Sequence, residues 1–168
     1  MTQSEGAPLE FELILEALNR REVRYIVIGG VAALMQGAPL VRTLDVDVTP
    51  ADDPENKKRL GRALIDIEAR LRAPGLVDPT EIPLDERTFT GMTTMTFTTR
   101  FGPLDLCFIP DGTDGYEDLA RDARPVEING IEFSVASITD IVRSKKAAGR
   151  EKDAAHVEIL SDFLEDEA

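Results

Sequence analysis

The chain predicts an α/β fold of the α+β kind, a mixed, largely antiparallel sheet flanked by helices. Three observations carry this expectation. Segments with apolar residues at helical spacing alternate with β-branched runs bounded by glycine and proline. Asn129-Gly130 separates two β-rich runs, a strong local hairpin signal. The strands are mostly hairpin-linked, and a sheet of that kind buries one face under helices.

Each element has its own warrant. In residues 8–20, Phe11, Ile14, Leu15 and Leu18 fall at i, i+3, i+4 and i+7, which predicts a helix. VRYIVIGG, residues 23–30, is a β-branched run closed by glycines and reads as a buried strand and tight turn. VAALMQG, residues 31–37, follows as a short helix with Gly37 as its stop. TLDVDVTP, residues 43–50, reads as a strand closed by Pro50, and residues 55–72 return to helical spacing through Leu60, Ala63, Leu64 and Ile67. Residues 50–56 and 72–87 are loop-like breaks, the second long enough to hide a short element. TFTGMTTMTFTTR, residues 88–100, and GPLDLCFIP, residues 102–110, read as strands, and residues 124–136 as the Asn129-Gly130 hairpin. Ser137 caps a helix, with Asp140 three residues on as in a capping box. A last helix covers residues 151–164.

The 168 residues are read as a single domain, with the helices of residues 137–164 packed on the sheet. MTQSEGAPLE has no basic n-region, so no signal peptide is expected. YIVIGGVAALM, the longest apolar run, is too short to span a bilayer, and no membrane association is expected. Cys107 is the one cysteine and has no internal partner, which points to a soluble cytoplasmic protein. The net charge of −13 excludes general nucleic-acid binding by phosphate neutralisation, so a nucleic acid could be only a local or transient substrate.

Three features carry chemistry. Gly29-Gly30 between a strand and a helix lets the backbone approach a ligand, with free amides and a positive dipole end behind it; that suits a phosphate, though many such pairs are plain turns. Asp45 and Asp47 share one side of a strand, and their like charges imply either a wet face or a cation between them. Asp105 lies between Leu104 and Leu106, a third acid in an apolar strand. Together the three carboxylates make a site for a hard divalent cation, above all Mg²⁺.

In this order the residues resemble the nucleotidyltransferase superfamily with the DNA polymerase β-like catalytic fold. Its pattern is hG[G/S], then Dh[D/E]h, then a third h[D/E]h strand, here Gly29-Gly30, RTLDVDV and PLDLCF. The likeness is strongest to small bacterial nucleotidyltransferases related to abortive-infection and toxin–antitoxin toxins, which carry a C-terminal K-x-A-A-G-R-x-K-D segment. Here that segment runs from Lys145 to Asp153. The match covers residues 25–48, 103–108 and 137–160. Two positions depart from it: Gly30 stands where many relatives use Ser, and Gln36 where this branch often has His.

The resemblance implies a nucleotidyltransferase-type sheet and transfer of an NMP group from an NTP to an acceptor hydroxyl. It implies Asp45, Asp47 and Asp105 as ligands of a two-metal Mg²⁺ site. Gly29, Gly30, Arg42, Thr43, Arg150 and Asp153 are expected at the nucleotide, and Lys145 at the reacting phosphate. The acceptor it implies is an RNA end such as tRNA, or a protein side chain, with a cognate antitoxin or toxin as partner. Gly30 and Gln36 keep an alternative in play, a catalytically degenerate module of the same fold that only binds a partner.

The C-terminal segment can also be read directly. Ile138, Ile141, Val142 and Lys145 form one helical stripe, and Asp153, Val157, Leu160 and Leu164 another. Lys145 and Asp153 therefore both face inward, as a site pair or as a structural ion pair. His156, the one histidine, sits in a charged helix and is expected at the surface. No second histidine or cysteine supports a zinc site or a Ser-His-Asp triad. Cys107 shares the strand face of Asp105 and reads as packing. Residues 111–119 lack EF-hand spacing and read as a turn and helix start.

Overall fold

The β-rich runs assemble into one seven-stranded sheet in the computed structural model, which describes residues 8–40 and 43–167. The strands are β1 (Tyr25–Ile28), β2 (Val46–Pro50), β3 (Arg70–Arg72), β4 (Thr94–Thr99), β5 (Gly102–Cys107), β6 (Arg124–Ile128) and β7 (Ile131–Val135). Their spatial order is β3-β4-β5-β2-β1-β7-β6. β2 pairs β5 and β1 pairs β7 in parallel, and the other four neighbours are antiparallel, so the sheet is mixed and largely antiparallel as expected. The helices are α1 (Phe11–Arg20), α2 (Gly29–Met35), α3 (Pro54–Asp66), α4 (Glu86–Phe89), α5 (Tyr116–Arg121), α6 (Ile138–Ala148) and α7 (Ala154–Glu167). None of the described helices is long and apolar enough to cross a membrane.

Strand alternation sorts the two faces. Val46 and Val48, Leu104 and Leu106, and Met95 and Phe97 are buried in a common core with Ile14, Leu15 and Leu18 of α1 and Leu60 and Leu64 of α3. Each such side chain taken from water contributes about 1.5–3 kcal/mol. The residues between them, Asp47, Asp105, Cys107, Thr94 and Thr96, point to the other face and stay half-buried or exposed.

Local chemistry sets the element ends, and several differ from expectation. α3 stops at Asp66 instead of running to residue 72. Glu68 takes a left-handed φ of 55°, the Glu68 N–H donates to the Ile65 carbonyl at 3.1 Å, and the Ala69 N–H to that of Leu64 at 3.0 Å. That double closure is a Schellman stop, and it frees Leu71 to enter β3. The strand expected from residue 88 begins at Thr94, because the Asp85 carboxylate accepts from the Thr88 N–H at 2.9 Å and caps the short α4. The long break also holds an antiparallel bridge between Leu71 and Thr80.

β2 begins at Val46, not at residue 43: the Thr43 hydroxyl donates to the Asp45 carbonyl at 2.8 Å and closes a turn. Asp45 therefore lies in the approach to β2, not on the strand beside Asp47. α2 starts at Gly29, two residues early. The last helix divides into a 3₁₀ turn, Glu151–Asp153, and α7. The Ser137 hydroxyl accepts from the Asp140 N–H at 3.1 Å, so the expected cap is present. Asn129 and Gly130 take φ of 50° and 79°, as a two-residue hairpin turn of the primed kind needs.

Candidate active site

Register brings the acids together. Asp47 of β2 lies directly beside Asp105 of the parallel β5, and Ile28, the last residue of β1, lies on its other side. Asp45 reaches the same point from the turn before β2. One carboxylate oxygen from each of Asp45, Asp47 and Asp105 falls within 4.8 Å of the others. Oδ1 of Asp105 is buried with no hydrogen-bond partner. An orphaned carboxylate oxygen among like charges is costly, and a hard cation would satisfy it. An all-oxygen donor set of this kind fits Mg²⁺ and does not fit a soft metal.

Electrostatics say the same. Burial, then the charges of Asp45 and Asp105, push the Asp47 carboxyl up to about 8. Burial, then Asp105, also raises Asp45, while Lys152 draws it back. Carboxylates that share a small site cannot all ionise without a counter-charge.

The glycines make room for these acids. Gly29 has φ of +67°, and a Cβ placed on it would run into the Asp47 carboxylate. A Cβ on Gly30 would sit 3.2 Å from the Thr43 hydroxyl. Gly29→Ala is therefore expected to displace Asp47 and to cost about 1–2 kcal/mol for the left-handed backbone. A lowered melting temperature, read by calorimetry beside transfer activity, checks this; an unchanged variant would contradict the close approach.

The opposite wall comes from the C-terminal segment. Lys145 Nζ lies 3.3 Å from one Asp153 oxygen, and Arg150 Nε donates to the other at 2.9 Å. Burial raises the Asp153 carboxyl, but Lys145 and Arg150 outweigh it, so the group titrates below the usual carboxylate range. The inward Lys145–Asp153 pair expected from the helical stripes is thus formed. Gly29, Asp47, Asp105, Lys145, Arg150 and Lys152 line one cavity of about 540 Å³.

Thr43 is engaged in the turn described above. Arg42 lies outside the described residues. The Gln36 amide donates to the Ala32 carbonyl at 3.0 Å and the Ala136 carbonyl at 2.8 Å, so it ties α2 to the residues preceding α6. His156 is half-buried, not at the surface: the helix that carries it packs on α6. Burial, then Asp47, pushes the Cys107 thiol up to about 11, which makes it a poor nucleophile. The cavity is also lined by Lys152, which lies in the C-terminal segment but was not expected at the site, and by Thr96, which only cross-strand register sets opposite Asp105.

No protein-family model matches the chain, and no curated protein sequence does. Solved structures do. The fold is that of the nucleotidyltransferases. A Thermotoga maritima protein assigned as a nucleotidyltransferase aligns over 98% of this chain and 99% of its own, with a TM-score of 0.53 and 19% identity. The lincosamide antibiotic adenylyltransferase LnuA, bound to lincomycin, aligns over 94% and 98%, with a TM-score of 0.59 and 16% identity. The antibiotic-resistance factor ANT(2'')-Ia aligns over 90% and 80%, with a TM-score of 0.55 and 15% identity.

Proposed function

We propose that the protein is a Mg²⁺-dependent nucleotidyltransferase that moves an NMP group from an NTP to an acceptor hydroxyl. The observation that carries this reading is the Asp45–Asp47–Asp105 cluster with its orphaned Asp105 oxygen, beside a glycine turn in which a Cβ on Gly29 would meet the Asp47 carboxylate. LnuA, an adenylyltransferase among the structural neighbours, supports the type of reaction.

In this reading Asp45 and Asp47 would hold the metal that serves the triphosphate, and Asp105 would join Asp47 in holding the second. Mg²⁺, when bound as a pair, supplies charge neutralisation at the attacking and leaving oxygens. Asp105 favours loss of the acceptor's proton. The acceptor oxygen forms a bond to the α-phosphorus, the bond to the β-phosphate oxygen breaks, and pyrophosphate leaves with the electron pair. The Gly29 and Gly30 amides hold the terminal phosphates, with Thr43 beside Gly30, and the motif resemblance assigns Arg42 to the nucleotide as well. Lys145 and Arg150 offset negative charge as it develops, and Asp153 positions both.

The acceptor is an RNA end such as tRNA or a protein side chain, and the setting a toxin–antitoxin pair in the cytoplasm. These parts rest on the motif resemblance and, for location, on the single cysteine. The complete carboxylate set weighs against a degenerate binding module, for which calorimetry would find no NTP binding. The direct test is transfer of label from each α-labelled NTP, with Mg²⁺, to total RNA or a partner protein. Asp45→Ala is expected to lose that transfer; equal labelling by variant and wild type would sink the reading.

A further inference from the structure

The line of residues that ends in the carboxylates continues outward across the sheet. Asp47 pairs with Asp105, Asp105 with Thr96, and Thr96 with Arg72. Directly opposed residues project from one face, and neighbouring strands lie about 4.8 Å apart. Arg72, Thr96, Asp105 and Asp47 therefore form one row over four strands. One strand repeat along, Arg70 stands beside Thr98.

This part of the face is open. α2 packs against β1 and β2, and α6 packs against α2. On β3 and β4, by contrast, Arg70, Arg72 and Thr94 are exposed, and Thr96 and Thr98 half-buried. The strip carries hydroxyls and guanidiniums, with no large apolar side chain. Arg72 has no ion-pair partner among the described residues, and Arg70 meets only the exposed Glu81 at 3.7 Å.

We infer that the β3–β4 face docks the acceptor, and that the acceptor is an RNA end. Its backbone phosphates lie on Arg72 and Arg70, and its terminal hydroxyl reaches Asp105 past Thr96. This rests on the transferase reading of Asp105. The chemistry of the strip favours RNA over a protein. Guanidinium groups match phosphate bidentately, and threonine hydroxyls bond phosphate and sugar oxygens. A protein partner would need an apolar centre to its interface, which this face lacks. The net charge of −13 repels a polyanion elsewhere, so the contact is confined to a few phosphates at one end. Such binding is weak and salt-sensitive.

The test is fluorescence anisotropy with a short RNA oligonucleotide bearing a free 3′ hydroxyl, across a salt series. Calorimetry with Mg²⁺ and a non-hydrolysable NTP runs alongside, on wild type, Arg72→Lys and Arg70→Ala/Arg72→Ala. The double variant is expected to bind RNA about tenfold more weakly with a salt slope smaller by about 1.4, and to bind nucleotide as wild type does. Arg72→Lys is expected to keep part of the affinity. Equal RNA affinity and slope in wild type and double variant overturn the inference, as does RNA binding too weak to measure in wild type. So does transfer to a protein acceptor that the double variant performs at full rate. Failure of wild type to bind nucleotide sinks the transferase reading instead, and leaves the RNA comparison readable by itself.

Discussion

Asp47→Asn is expected to lower nucleotidyl transfer by about 10³-fold or more, at saturating Mg²⁺ and NTP. Asp47 lies within 4.8 Å of both Asp45 and Asp105 and in the proposed mechanism serves both sides of the metal site, so its replacement removes charge from the nucleotide and the acceptor together. Metal stabilisation of the transition state amounts to several kcal/mol, and each 1.4 kcal/mol or so is tenfold in rate. Asparagine keeps the shape of the side chain, so the loss reads charge and not packing. Asp105→Asn makes the contrast. On the proposed assignment it loses transfer but still binds Mg²⁺ and NTP, whereas Asp47→Asn loses both. Label transfer and calorimetry on the two variants check this, and substantial transfer by Asp47→Asn would remove the central residue of the proposal.

The second large effect is on stability. Without metal, the protein should melt at progressively lower temperature as pH rises from about 5 to about 8.5. Asp47 titrates near 8 in the fold, against an ordinary carboxylate value of about 3.9. Between those values the folded state holds a proton that the unfolded chain has lost. Stability from a group raised in this way is complete below the unfolded value and is lost as pH climbs through the folded one. One such proton changes stability by at most about 1.4 kcal/mol per pH unit, or roughly 3–5 °C in melting temperature for a chain of this size.

The window is clean on its acid side. Asp118, pushed down to about 2 by the Asp114 N–H and by Arg121 and Arg143, contributes only where pH falls below the usual carboxylate range. Asp47→Asn is expected to flatten the slope and to melt above wild type at about pH 8.5. Mg²⁺ is expected to rescue wild type there more than at about pH 5.5, since a ligand of the deprotonated site stabilises by mass action. A flat profile in wild type, or an equal slope in the variant, would contradict the buried like-charge cluster. The substitution that helps the empty fold is thus the one expected to end its chemistry, as buried charges at working sites often do.

Much of this site is legible in the sequence. Asp45, Asp47 and Asp105 stood out because acids are rare in β-branched runs, and Gly29-Gly30 because glycine pairs mark close backbone approach. The inward pair of Lys145 and Asp153 followed from 3.6-residue periodicity alone. These signals are local: each depends on residue type and spacing within a few turns or one strand. Element ends were harder. The helix expected to run to residue 72 stops at Asp66 because Glu68 adopts a conformation that few sequences announce. The strand expected at Thr43 starts at Val46 because a hydroxyl bonds the Asp45 carbonyl. In both cases a side chain or a single backbone torsion overrode a periodic pattern that continues past it.

By itself, then, the sequence determined the element types, the mixed sheet and the identities of the acids and glycines, since periodicity and residue chemistry act over short spans. Strand order and register were decided only by the tertiary structure. Nothing local says that β2 lies parallel to β5, with Asp47 against Asp105, or that Thr96 and Arg72 extend that row to β3. Those pairings join residues far apart in the chain, and they are selected by the apolar face that Val46, Leu104 and Phe97 must bury together. A shift of one residue would have turned Asp47 or Asp105 into the core, so the packing of one face is what holds the chemistry of the other in place.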